Sequence, residues 1–444
     1  MIVLALIFTL ALAVRLYLLP LQNDDDDIFT FLIPWTERAL KHGVWMIYDL
    51  GSQDMHPPLN YYLLWMSGKL YQAFFAVSPG GALDPPSLPL MMLIKLPNLI
   101  CDLLIGLIVF LAVLKRTSFG LAVTILCLYL FNPAIIWEAA FVGQFEAIQT
   151  IFILLAVVLL YVGKVEISWA ALALAALTKP QGLILIPLIG FASLLMFPAS
   201  RLLRAGMAAL AVTFVVLLPW ILSGRMSDIF ELFGGFVDSH PWITLNAANL
   251  WALVSSIWDQ GFQIGSGDVS GTVLFDDGEP LQILPFLTYK QVGLALFAIA
   301  YAFALTCIIK RRDGMTLLLT AAFVFFAFFM LPTQMTERYL FPFFPLFAIT
   351  LMQGPLPLYV AASATFMLNL YLVFPLPDIA PWNVTSIQYP PLYDFLAIAD
   401  GVRRPLTVAL SLANIGLLTW FSGFLFRRCF LQEPDTDAPG RRGK

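Results

Sequence analysis

Twelve long apolar stretches set the fold class of this chain before any single residue is considered. Residues 89–113 run for 25 positions with only Lys95 and Asp102 charged, and comparable stretches cover 2–20, 119–137, 147–162, 167–178, 181–198, 206–223, 291–309, 315–332, 339–354, 356–374 and 405–426. A helix needs about 20 mostly apolar residues to cross a bilayer. The pattern therefore predicts an all-α polytopic membrane protein with about twelve transmembrane helices. Composition agrees, with 60% of the 444 residues apolar and 12% charged, against about 25% charged in soluble domains. A water-soluble globule of this composition would expose large apolar patches and aggregate. A disordered chain is excluded too, since 38 Phe, 14 Tyr and 11 Trp are far too many aromatics. Lipid is the solvent, and no nucleic acid is expected as a partner.

The four cysteines (Cys101, Cys127, Cys307, Cys429) lie in or beside apolar stretches without a CxxC or a disulfide framework. The first twenty residues lack a basic leader and a small-residue cleavage site, so they read as a retained first span. Basic residues fix the orientation. Lys115, Arg116, Lys164, Arg201, Arg204, Lys310, Arg311, Arg312, Arg427, Arg428, Arg441, Arg442 and Lys444 all fall on the side of the N-terminus if there are twelve spans, with only Glu166, Asp313, Glu433, Asp435 and Asp437 as acids beside them. Both termini are then expected in the cytoplasm of a plasma (inner) membrane protein. Three long polar loops, 21–88, 224–290 and 375–404, would lie outside it, and the tail from Gln432 reads as disordered.

The first outer loop opens with Asp24-Asp25-Asp26-Asp27 directly after the first span. Four adjacent acids repel one another, which favours one of them taking up a proton; a solvated acidic cap is the equal alternative. Residues 31–42 and 57–75 have the aromatic, amphipathic look of helices lying in the interface plane. Further polar groups recur at the outer ends of spans: Glu138, Gln144 and Glu146 after the third, Thr178-Lys179-Pro180-Gln181 after the fifth, and Thr336-Glu337-Arg338-Tyr339 at the tenth. An ionisable group beside a proline at membrane depth is costly and functional by default. Lys95 and Asp102 are two helical turns apart on one face and are expected to form a polar seam, with a structural salt bridge as the plainer account. His56, before Pro57, reads first as an interfacial turn residue, and Asp276, Asp277 and Glu279 around Gly278 as a solvated turn. Asn383-Val-Thr385 is a glycosylation triplet of a kind that arises by chance.

Carboxylates, amides and the cations Lys179 and Arg338 would thus face one outer space. An amphiphile with an apolar tail and an anionic head suits it, because a guanidinium fork binds phosphate in a bidentate way. An acid opposite a bound phosphate ester suggests group transfer, the acid taking a hydroxyl proton while the cations stabilise the departing phosphate.

Several of these residues, in this order, resemble the GT-C superfamily of polyprenyl-phosphate-sugar glycosyltransferases. They are the loop-one Asp run with Trp35, Tyr48-Asp49 and Pro57-Pro58-Leu59; Lys95-Leu-Pro97 with Asp102; Gly143-Gln144-Phe145-Glu146; Lys179-Pro180-Gln181; Asn246-Ala-Ala-Asn249-Leu250-Trp251; and Glu337-Arg338-Tyr339-Leu340-Phe341-Pro342. The set spans residues 1–350 and is most similar to bacterial relatives of the GPI-anchor mannosyltransferases and to actinobacterial arabinofuranosyl and mannosyl transferases. The resemblance implies a GT-C-type bundle over 1–354, with further C-terminal helices over 355–431. It implies inverting transfer of a sugar, mannose among the candidates, from a polyprenyl monophosphate to an extracytoplasmic hydroxyl of a lipid, glycan or protein. One of Asp24 to Asp27 would be the general base, Asp27 first and Asp26 next; Glu146 would orient the acceptor, and Lys179 and Arg338 would bind the donor phosphate. Trp35, His56, Gln144, Gln181, Asn249, Glu337 and Tyr339 would contact substrate. Thr336 departs from a His frequent in the family, and His56 from a Tyr. No metal or other cofactor is expected, because two cationic side chains can neutralise a monophosphate. The rival is a transporter or flippase for lipid-linked sugars, which would carry internal repeats and midplane polar groups.

Overall fold

A computed structural model describes residues 2–21, 28–50, 56–75, 88–235, 241–257, 276–281, 285–374 and 400–432. Asp24 to Asp27 and Asn383 to Thr385 lie outside the described residues, as does the tail beyond 432. Every regular element among the described residues is helical, with only isolated bridges such as Trp242–Asp276. The first helix is α1 (Ile2–Leu18), followed by α2 (Ile33–His42) and α3 (Pro58–Phe75) of the first loop, which pack on each other. Then come α4 (Leu88–Leu114), α5 (Phe119–Leu130) and the short α6 (Pro133–Ile136), which runs into a π-helix, Trp137–Val142. An antiparallel hairpin of α7 (Glu146–Tyr161) and α8 (Val165–Thr178) is followed by a 3-10 turn, Pro180–Leu185, and by α9 (Ile186–Met196). The chain continues through α10 (Ala199–Leu222), α11 (Met226–Gly235), α12 (Leu250–Ile257), α13 (Tyr289–Lys310) and α14 (Gly314–Met330). A 3-10 turn, Glu337–Leu340, leads into α15 (Phe343–Thr350), then α16 (Leu356–Val373) and α17 (Asp400–Phe426).

The helices follow the apolar stretches closely, and the chain is a multi-pass membrane protein. Among the described residues five helices are long and apolar enough to cross a bilayer: α4, α10, α13, α16 and Leu406–Leu431. The pair Phe119–Leu130 and Pro133–Val142, bent by 52°, makes a sixth if it counts as one span. α1, α7, α8, α14 and Pro180–Met196 are apolar but shorter. The stretch 339–354 departs from expectation. Only α15 forms there, and its eight residues reach about 12 Å, too short to cross a ~30 Å hydrocarbon layer alone. It is buried instead among rings of its neighbours: Phe343 meets Phe326 of α14 edge-on at 5.2 Å, and Phe347 meets Phe421 of α17 edge-on at 5.2 Å. Leu203, Leu210, Phe214 and Leu222 of α10 stay exposed, as a lipid-facing helix requires.

In lipid every backbone polar group must be satisfied internally, and the helix breaks show how this chain does it. Pro97 inside α4 brings no N–H for the Leu93 carbonyl, which accepts instead from Ser67 Oγ at 2.9 Å. At the end of α8 the Thr178 and Lys179 carbonyls accept from Asn60 Nδ2 (2.8 Å) and Gln149 Nε2 (2.9 Å). Asn98 Oδ1 accepts from the Ala147 N–H at 2.8 Å and caps α7. The Lys95–Asp102 seam expected from spacing is not formed. Asp102 pairs with Arg15 (Nε to Oδ2, 2.5 Å) and accepts from Tyr129 at 2.8 Å, while Lys95 Nζ donates to the carbonyls of Leu21 (2.9 Å) and Phe141 (2.6 Å). Spacing placed both groups on one face, but α1 brought a better partner to Asp102, while the chain just after α1 and the π-helix after α6 each brought a carbonyl to Lys95. Asp277 is corrected as well: it is buried, and its Oδ2 accepts from Thr333 Oγ1 (2.6 Å) and Gln334 Nε2 (2.8 Å). It fixes the turn ahead of Glu337-Arg338, whereas Asp276 and Glu279 are exposed.

Candidate active site

Three interruptions of helical structure meet at one place. The first is the turn between the π-helix and α7. Gly143 there has φ +68°, and a Cβ on it would come within 2.5 Å of Lys95 Cγ, so glycine alone fits the conformation and the space. The turn sets Glu146 at the first position of α7, where the helix N-terminus favours a carboxylate. The second is the Lys179-Pro180 break after α8. Gly182 in the following turn lies so near α8 that a Cβ would stand 2.5 Å from the Ala175 carbonyl carbon and the Ala176 nitrogen. The third is the segment from Leu331 to the Glu337–Leu340 turn, which bridges to Leu245 and Asn246 through Thr336.

These breaks bring together a buried cluster of ionisable groups. Lys179 Nζ pairs with Glu146 Oε1. Arg338 Nε lies 3.8 Å from the same oxygen and 3.2 Å from Glu337 Oε1. Glu138, from the π-helix, completes the group; its charged neighbours are Glu146, Arg338 and Lys179. It is wholly buried, and among the described residues no N–H, ammonium or hydroxyl donates to either of its oxygens; its side-chain partner is the Glu146 carboxyl group. Tyr339 sits beside the cluster with the Gln181 side chain against its hydroxyl, and the Arg338 guanidinium lies 5.5 Å from the Phe374 ring centre.

An aromatic wall from the first loop closes one side. His56 packs edge-on between Trp35 and Phe145, its ring centre 5.3 Å from each, and Phe145 directly precedes Glu146. Tyr48 Oη donates to the His56 carbonyl at 2.8 Å, and the His56 N–H donates to Tyr61 Oη at 3.0 Å. Burial pushes both phenols above their ordinary range, so they remain hydroxyls.

Glu146, Lys179, Arg338, Glu337, Gln181 and Tyr339 are therefore brought together, with Trp35 and His56 on the adjoining wall and Gln144 buried in the Gly143 turn. Asn249 has a different setting. Its Oδ1 accepts from the N–H groups of Trp251 and Ala252, both at 3.0 Å, so it caps α12, and its Nδ2 faces the Phe329 carbonyl at 3.4 Å. The candidate base run, Asp24 to Asp27, lies outside the described residues. Among the described residues no three His, Cys, Asp or Glu side chains gather as metal ligands. Glu138 is the site residue that motif order left out. A lone carboxylate within Ile136-Trp137-Glu138-Ala139-Ala140 is signal enough, because a charge in an apolar stretch is costly unless used. Chemically, the cluster can bind an anion through two cations while holding carboxylates against whatever the anion carries.

No family model matches the chain, and no curated protein matches it. Among solved structures, the chain is similar to ArnT from Cupriavidus metallidurans in the apo state, at 16% identity and a TM-score of 0.49, over 95% of this chain and 76% of that one. It is similar in the same way to ArnT bound to undecaprenyl phosphate, at 14% identity and a TM-score of 0.47, with the same coverage. Likeness at that level carries nothing about chemistry, which rests on the side chains described above.

Proposed function

We propose that this chain is an integral membrane glycosyltransferase of the GT-C type, moving a sugar from a polyprenyl monophosphate to an extracytoplasmic hydroxyl. The observation that carries the reading is the convergence of Lys179, Arg338, Glu146 and Glu138 from three separate helix breaks, beside the aromatic wall of the first loop.

The depth of the cluster supports chemistry at one face over passage through the middle. α7 and α8 have 16 and 14 residues, so at 1.5 Å per residue the cluster stands about 21–24 Å from the turn that joins them, within a hydrocarbon layer of ~30 Å. The basic groups gather at the turn end. Arg116 lies 3.8 Å over the Tyr161 ring, Arg201 bonds Glu166 and the Gly163 carbonyl, and Arg311 pairs with Asp313. With positive charge inside, the cluster belongs to the outer half of the bilayer and both termini to the cytoplasm. In this reading the twelve apolar stretches form the GT-C-type bundle, with broken and shortened spans wherever they line the site.

Lys179 and Arg338 take the donor phosphate. An Asp of the first loop, Asp27 first and Asp26 next, accepts the proton of the incoming hydroxyl. The C–O bond to phosphate breaks with inversion, and the bond electrons leave on the phosphate, whose charge the two cations balance without a metal ion. Glu146 holds Lys179 in place and orients the acceptor. Mannose is the first sugar to try. The test is single-turnover transfer by the purified protein in lipid with a panel of polyprenyl-phosphate hexoses and pentoses, for wild type, Asp27→Asn, Asp26→Asn and Lys179→Met. Transfer by wild type that drops at least 100-fold in Lys179→Met and in one Asp variant supports the reading. Movement of the intact lipid-linked sugar across the membrane with no transfer from any donor would replace it with a flippase.

A further inference from the structure

We propose that Glu138 is the sugar-recognising carboxylate of this site, holding hydroxyl groups of the donor sugar while Lys179 and Arg338 hold its phosphate. The inference rests on the glycosyltransferase reading and names the group that selects the sugar end of the donor.

Buried acceptors without a donor gather around the cluster. Both oxygens of Glu138, Oε2 of Glu146, Oε1 of Gln181 and Oγ1 of Thr336 are shielded from solvent and, apart from the Glu138–Glu146 carboxyl contact, have no hydrogen-bond partner among the described residues. Leaving a buried polar atom unpaired costs about 1–3 kcal/mol, and more for a charged one, so a set of them at one place marks a surface built for a ligand or for ordered water. Nearly all of these atoms accept hydrogen bonds. A phosphate diester is an acceptor too and cannot satisfy them; a sugar brings several O–H donors and can. Glu138 is also not needed to balance the cations, since Lys179 already pairs with Glu146 and Arg338 with Glu337. Instead it lies against the Glu146 carboxyl group, and two carboxyls side by side either share one proton or take a donor between them, which leaves the remaining oxygens open to O–H groups of a ligand. A sugar hydroxyl placed there would bond to both and set the ring beside the phosphate subsite, at the mouth of the Trp35–His56–Phe145 wall.

The experiment compares binding of two lipids, a polyprenyl phosphate and the same lipid carrying a hexose, to wild type, Glu138→Gln and Thr336→Val reconstituted in lipid nanodiscs. Glu138→Gln preserves shape but turns one acceptor into a donor. It should weaken the sugar-bearing lipid roughly 10- to 100-fold, the scale of a hydrogen bond to a charged group, and change the sugar-free lipid less than twofold. Thr336→Val, which removes a hydroxyl without removing a charge, should give a smaller loss of the same selectivity and serves if Glu138→Gln fails to fold. Equal weakening of both lipids would make Glu138 structural or a phosphate group and overturn the proposal. So would unchanged binding of both, the result for a carboxyl pair that merely shares a proton. Wild type that binds neither lipid would instead bring down the glycosyltransferase reading itself, and this inference with it.

Discussion

Replacing Lys179 by Met removes the ammonium that pairs with Glu146 and leaves a carboxylate in the interior of the bundle. Both side chains are nearly fully buried, so the substitution breaks a buried ion pair by deleting one partner, which costs about 3–5 kcal/mol. Two features lower the figure. Glu146 begins α7, where the helix N-terminus stabilises a negative charge by about 0.3–1 kcal/mol, and Arg338 Nε, 3.8 Å away, can close on the bare carboxylate. The expected loss is about 3 kcal/mol, or roughly 100-fold in the folded-to-unfolded ratio. Glu146→Gln in the same chain removes the stranded charge and should restore most of the loss, giving a coupling energy of about 2 kcal/mol, within the range for residues in contact. Graded unfolding in mixed detergent–denaturant micelles, followed by circular dichroism, measures all four proteins of the cycle. Strict additivity, or a Lys179→Met protein as stable as wild type, would show that the pair is not a coupled buried unit and that Lys179 is more solvated than its burial implies.

Two further outcomes follow from other charged groups. Asp102→Asn should destabilise by about 3–5 kcal/mol because it leaves Arg15 buried without its partner, and Tyr129→Phe by about 1.5–3 kcal/mol, one hydrogen bond to a charged group; equal effects in the same unfolding assay would refute that ranking. Asp313 sits outside the spans as the cap of α14. Burial pushes its carboxyl up, but the Thr316 N–H and hydroxyl, then Arg428 and Arg311, outweigh burial and hold it below the usual range. A carboxylate lowered on folding contributes stability that is full above its unfolded value and disappears as pH falls through the lower folded value. Stability should therefore fall on acidification through that window, and Asp313→Asn should flatten the slope.

The linear order of residues determined that the chain lives in lipid, where its helices lie and where they break, because a run of apolar side chains, a proline or a glycine acts through the local backbone. α4, α13, α14 and α16 follow their stretches to within two residues, and Glu146, Lys179 and Arg338 could be picked out as costly polar groups beside breaks. Which polar group meets which is not written in that order. Asp102 took Arg15 from another helix instead of Lys95 on its own, Asp277 left water to brace a turn, Asn249 became a helix cap, and Glu138 joined the buried cluster of Glu146, Lys179 and Arg338. Partner choice inside a bilayer depends on which bare carbonyls and charges the packed helices bring within about 3 Å of one another, a property of the assembled bundle that no single segment carries.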